Sequence, residues 1–116
     1  MNTVPLALNA LASIGAAGSS VAGVFRPALG LRPTEEVTTG VHLYTRAYAA
    51  RAVPLGLVTA FVLIWGPSAA LAPLLVVSGV AQVGDSALGF MRGNLGMALG
   101  AGAFAVVHLL TAALWS

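Results

Sequence analysis

The chain contains no cysteine and no lysine, and only 7% of its 116 residues are charged. Without cysteine there is no disulfide framework and no thiolate for nucleophilic or metal chemistry. Charge this sparse lies far from the roughly quarter-charged make-up of soluble domains. A hydrophobic fraction of 59% and a mean hydropathy of +0.96 make lipid the expected solvent. The usual catalytic signatures are also missing: no phosphate-cradling glycine loop, no helical His-Glu pair of metalloprotease type, no Gly-x-Ser-x-Gly elbow. Two histidines and a lone intramembrane carboxylate on different segments fall short of a transition-metal set. The expectation is therefore no metal and no cofactor, with any chemistry being acid–base or electrostatic.

What is present is long apolar runs. At about 1.5 Å of rise per residue, a helix needs roughly 20 mostly apolar residues to cross the hydrocarbon. Four runs fit, at roughly 3–25, 42–65, 68–90 and 95–115 by that criterion, and they fill the chain as a single domain over 1–116. Pro27 and Pro33 break the chain after the first run, Gly66-Pro67 turns it after the second, and Arg92-Gly93-Asn94 turns it after the third. Short connections make consecutive helices antiparallel neighbours, so the predicted fold is all-α, a polytopic up-down bundle of four transmembrane helices. The runs are too long, and lack the two-residue alternation, for a β-barrel. Nothing basic precedes the first run and it exceeds a signal-peptide core in length, so it reads as a span.

The charges are distributed one-sidedly. Arg26 and Arg32 lie in the first connection, Arg46 and Arg51 near the start of the second helix, and Arg92 in the third connection. By the positive-inside rule this side is cytoplasmic and both termini face out of the cell membrane. The net charge of +2 thus reports topology and contact with anionic membrane lipid, and it points to no nucleic-acid partner.

One acidic residue, Asp85, lies inside an apolar run, where a carboxylate is costly unless it is paired or used. Helical spacing puts Tyr44, Tyr48, Arg51 and Leu55 on one stripe of the second helix and turns Arg46 away from it. Ser78, Gln82, Asp85, Ser86 and Gly89 form the polar stripe of the third. Depths from the arginine side agree, at roughly 8 Å for Asp85 and roughly 13 Å for Arg51. The prediction is an Arg51–Asp85 ion pair with Tyr48 and Gln82 hydrogen-bonding around it. A purely structural pair joining two helices is the competing reading.

On the fourth helix, His108 shares a stripe with Asn94, Met97, Ala101, Ala105 and Ala112, whose small residues leave room beside the imidazole. His42 falls at the boundary and reads as interfacial. Asn2, Asn9, Ser13 and Ser20 follow one face of the first helix, with Asn9 expected to hydrogen-bond a neighbouring helix. Thr34 is a candidate cap for a short helix carrying Glu35 and Glu36. That connection reads as a solvated turn, or as a lid over the mouth that brings a glutamate to Arg46 or Arg51. Gly89-x-x-x-Gly93 and Gly96-x-x-x-Gly100 permit close packing within the bundle or between copies in a homo-oligomer.

Tyr44-Thr-Arg-Ala-Tyr-Ala-Ala-Arg51, then Pro54-Leu-Gly56, Gly84-Asp85 and His108, resemble a family of small four-helix integral membrane proteins of unknown function, loosely similar to the DoxX-like proteins. The resemblance implies the fold and a shared polar centre, and no activity.

Two classes of function follow. One is a membrane-embedded enzyme acting on a lipophilic small molecule by cofactor-free isomerisation, cyclisation or epoxide opening. In it Asp85 is the acid or base, Arg51 the charge partner, Tyr48 or His108 the second proton-transfer group, and Tyr44, Gln82, Ser86 and Asn94 the substrate contacts. The other is a small proton-coupled transporter or channel subunit working through Asp85. A structural membrane protein is the third possibility.

Overall fold

The computed structural model describes residues 3–115; Asn2, one of the residues assigned above to the polar face of the first helix, lies outside them. Four helices follow one another: α1 (Thr3–Phe25), α2 (Thr39–Trp65), α3 (Ser68–Met91) and α4 (Leu95–Leu114). Each is long and apolar enough to cross a bilayer, and together they form the expected four-helix bundle of a multi-pass membrane protein.

The local signals explain the boundaries. Thr38 is extended and its hydroxyl accepts from the Val41 amide at 3.2 Å, so α2 begins at Thr39, a turn earlier than the apolar run alone indicates. Asn94 caps α4 in the same way, its side-chain oxygen accepting from the Met97 amide at 3.1 Å. The sharp reversal before it uses Gly93 at φ +69°, a conformation that costs glycine nothing. The expected short helix after Thr34 does not form. The first connection instead makes a 3-10 turn over Pro27–Gly30, because Pro27 presets its first residue. Glu35 turns back so that its carboxylate accepts from the Arg32 amide at 3.0 Å.

The bundle is built from two tight hairpins, α1–α2 and α3–α4, which meet each other more sparsely. Small residues make the tight contacts. A Cβ on Gly56 would lie 2.6 Å from the Ser13 carbonyl oxygen of α1, and one on Gly89 would lie 2.5 Å from the Ala98 amide nitrogen of α4. Helices this close gain van der Waals contact, the principal source of helix association in lipid. Large apolar side chains such as Leu11, Phe61, Val80 and Leu99 point outward, where lipid is as good a solvent as a core.

The interior is divided lengthwise. At the end carrying the termini, Leu63, Leu71 and Leu75 pack with Leu6, Val62 and Trp115. From about the level of Leu75 to Asp85, nearer the arginine-bearing end, the buried set is largely polar, with Asn9, Ser13, Ser20, Thr59, Ser78, Gln82, Asp85 and His108 all shielded. Since lipid cannot satisfy such groups, they face the interior of the bundle.

Candidate functional site

Asp85 and Arg51 meet across the seam between α2 and α3. The Arg51 Nη2 donates to Asp85 Oδ1 at 3.2 Å, and the Tyr48 hydroxyl donates to the other carboxylate oxygen at 2.9 Å. The guanidinium also lies over the Tyr48 ring, 5.1 Å from its centroid, a cation–π contact that holds the two donors in one group. Tyr44 stacks on Tyr48 with ring centroids 6.3 Å apart. One stripe of α2 thus delivers both donors and the aromatic wall, as the spacing of 44, 48 and 51 requires. Asp85 is almost wholly covered, its side chain 8% exposed, whereas Arg51 is 47% exposed in the open seam.

The two residues stand level although Arg51 is twelve positions into α2 and Asp85 six from the end of α3. At the helical rise, α2 therefore runs about 9 Å past α3 at this end. That overhang carries Tyr44 and leaves space between the hairpins. The space is a cavity of about 420 Å³ bounded by Ser20, Tyr44, Tyr48, Met97, Gly100 and Phe104, with Gln82 and Asp85 also in its wall. A volume of roughly 300–1,000 Å³ is usual for small-molecule sites. Pro27 and Leu29 of the first connection line it as well.

A clasp holds that connection in place. Arg92 is ion-paired with Glu35, the Arg32 Nε donates to the Arg92 carbonyl at 3.1 Å, and the Asn94 Nδ2 donates to the Leu29 carbonyl at 3.2 Å. The loop thus packs over this end of the bundle, but Glu35 pairs with Arg92 and not with Arg46 or Arg51. The reason is reach: Arg51 is committed to Asp85, and the Arg92 turn lies beneath the loop. Glu35 has its carboxyl held below the ordinary value of 4.5, first by the Arg32 amide and then by the Arg92 guanidinium.

His108 lies deeper. Its Nδ1 is 2.9 Å from the Asn9 Oδ1, and Asn9 Nδ2 donates to the Pro5 carbonyl and to Thr111 Oγ1, each at 2.7 Å. Asn9 therefore does bond a neighbouring helix. A second cross-link joins Thr59 of α2 and Ser78 of α3 at 3.0 Å. Sequence reasoning passed over Thr59, although it continues the stripe of Leu55 at i+4.

Several expected contacts are rearranged. Gln82 makes no side-chain hydrogen bond to the ion pair; it sits one turn from Asp85 and lines both the large cavity and a smaller chamber. Ser86 stands outside the site, its hydroxyl donating to the Ala98 carbonyl at 2.6 Å, because its position on α3 turns it into the α4 contact. Asn94 lines the cavity, yet both ends of its amide are spent on the α4 cap and on Leu29. His42 and Arg46 are exposed. Among the described residues no three His, Cys, Asp or Glu side chains gather as metal ligands would.

These features define a class: a multi-pass membrane protein with a polar centre in its bundle and a cavity opening onto it. No protein-family model matches the chain, and neither a curated protein nor a solved structure does. The likeness to DoxX-like proteins therefore rests on the short motifs alone.

Proposed function

We propose that the protein is a membrane-embedded enzyme acting on a lipophilic small molecule by cofactor-free acid–base chemistry of the isomerase, cyclase or epoxide-opening type. The observation that carries this reading is the cavity of about 420 Å³ whose wall includes Asp85 and Tyr48. Its other walls are mostly small and apolar, suited to a hydrocarbon body, while the polar groups converge at one place, as orientation and reaction require. Asp85 would exchange a proton with the substrate, Tyr48, which lines the cavity where His108 does not, would be the second proton-transfer group, and Arg51 would stabilise charge on the carboxylate. Tyr44 would form a flat wall for the substrate body, and Gln82 would add an amide beside the carboxylate.

The alternative of proton-coupled transport has less support. The buried polar groups continue past Asp85 to His108, but the next group is the amide of Asn9, whose oxygen and nitrogen are each already committed, and an amide does not pass protons on as water or imidazole does. In the proposed orientation the arginine-bearing connections are cytoplasmic and both ends of the chain face out of the cell membrane. The substrate would then reach the cavity from the cytoplasmic leaflet.

The test begins with purified protein in lipid nanodiscs, extracted and compared with its Asp85→Asn and Tyr48→Phe variants by mass spectrometry. A lipophile retained by wild type and lost from both variants supports the site. Incubation with a neutral-lipid extract should then yield an Asp85-dependent product, either an isomer or a species heavier by one water. If wild type retains nothing and converts nothing, the enzyme reading fails.

A further inference from the structure

Between the ion pair and His108 the helices leave a chamber of about 20 Å³, distinct from the large cavity and lined by Ser13, Tyr48, Ser78, Gln82, Asp85 and His108 among others. A single water needs roughly 10–15 Å³ and two to four polar partners. Arg51 also lines it and keeps N–H donors beyond the one given to Asp85, while the hydrogen bonds of the other polar side chains around this space can be traced one by one.

The Asn9 amide group donates twice, to Pro5 and Thr111, so its orientation is set and Oδ1 is the atom facing His108. An acceptor there requires Nδ1 to carry the proton. His108, 1% exposed, is thereby the Nδ1–H tautomer when neutral, and its Nε2 is a bare lone pair. Thr59 has one hydroxyl proton, given to the Leu55 carbonyl at 2.7 Å, so Ser78 is the donor in their shared bond and has no proton left for the chamber. Ser13 likewise spends its proton on the Asn9 carbonyl. Two groups on otherwise buried residues then have no protein hydrogen-bond partner among the described residues, the His108 Nε2 and the amide of Gln82, 8% exposed, and as no fully buried side-chain nitrogen or oxygen there is left unpaired, both keep some contact with open space. Both line the same water-sized space, and buried polar groups in native proteins are satisfied with few exceptions.

We propose that this chamber is a bound-water site that couples His108 to Asp85. The water donates to Nε2, accepts from the Gln82 amide, and directs its second proton toward the carboxylate. Asn9 is the positioning residue, since it fixes the tautomer that turns a lone pair into the chamber. Resting on the acid–base reading of Asp85, the consequence is a proton store at His108, which lines the small chamber and not the large cavity. A proton on Asp85 passes to the water as the water gives one of its own to Nε2. The water is regenerated, the carboxylate returns to its anion, and the imidazole becomes imidazolium with Nδ1–H still on Asn9.

The water site can be tested without any substrate. Protein labelled with nitrogen-15 histidine, carrying His42→Gln so that His108 is the sole reporter, is examined by NMR in nanodiscs. The expected result is the Nδ1–H tautomer with a magnetisation-transfer contact from Nε2 to a slowly exchanging water. Gln82→Leu should remove the water contact and leave the tautomer unchanged. Asn9→Leu should release the tautomer preference, while Asn9→Asp, which keeps an acceptor oxygen, should preserve it; should Asn9→Leu not fold, the wild-type spectrum and Asn9→Asp decide. An Nε2–H tautomer in the wild type, or an Nε2 without contact to water, overturns the proposal. Either outcome is separate from the ligand-retention test, so the water site and the enzyme reading can fail independently.

Discussion

The Tyr48 hydroxyl donates to Asp85 Oδ2 over 2.9 Å, on the carboxylate oxygen that Arg51 leaves free. Each oxygen of the buried carboxylate therefore has its own donor, both from one stripe of α2. This arrangement lets the charge exist inside a bilayer, and it yields a quantitative expectation for the pair.

A double-mutant cycle over Arg51→Ala and Asp85→Asn should give a coupling of about 1 kcal/mol, the scale of polar contacts between membrane helices. Arg51→Ala alone should destabilise more than the double variant, because it strands a buried carboxylate. Unfolding in mixed detergent micelles measures all four proteins. Zero coupling would mean that the pair adds nothing to the bundle.

Glycine substitutions should separate by position. Gly56→Val meets the Ser13 carbonyl oxygen and the Ala17 methyl, and forcing α1 and α2 apart should cost about 1–3 kcal/mol. Gly84→Ala meets nothing within 4 Å and should be neutral or gain about 0.5 kcal/mol from helix propensity. Thermal unfolding of the purified variants reads both, and equal effects would contradict the two-hairpin packing.

Gly100 offers a cleaner probe of the cavity. A Cβ there has open space around it, and the residue lines the large cavity. Gly100→Leu should therefore fill the site, lowering ligand retention at least tenfold while thermal stability holds or rises. Retention at the wild-type level would place the ligand elsewhere.

The clasp at the arginine-bearing end should respond to acid. Glu35 titrates below 4.5 in the folded protein, so the stabilisation it gives is present above that pH and is lost as pH falls through the depressed value. The amides of Leu29, Leu31, Arg32 and Glu35, corrected for intrinsic exchange rates, should be protected at pH 7 and lose protection as the pH falls through the depressed Glu35 value. Glu35→Gln should show the unprotected pattern at neutral pH. Protection that is unchanged in this variant would show that the Asn94 and Arg32 contacts hold the loop without it.

Much of this could be read along the chain. The four spans and the turns between them follow from apolar length and from Pro27, Gly66-Pro67 and Gly93, because a bilayer leaves a hydrophobic segment few alternatives to a helix. The juxtaposition of Arg51, Tyr48 and Asp85 was legible for the same reason: in such a chain a carboxylate has few places to find a donor, and period and depth narrow them to one stripe. Ser86 was misjudged because stripe membership gives an angle of about 100° per residue, too coarse to tell the seam with α2 from the contact with α4. The partner of Glu35 was not legible because Arg92 lies 57 residues away, and loop geometry carries no period.

By itself, then, the sequence determined the solvent, the number of crossings and which few polar side chains must turn inward, since these depend on transfer free energies summed along the chain. Only the tertiary structure decided that α2 overhangs α3, that the hairpins stand apart around a cavity, and that the Asn9 amide is pinned so that His108 faces the chamber with a bare nitrogen. Those are relations between helices distant in sequence, set by how closely Gly56 and Gly89 let backbones approach, and no local periodicity contains them.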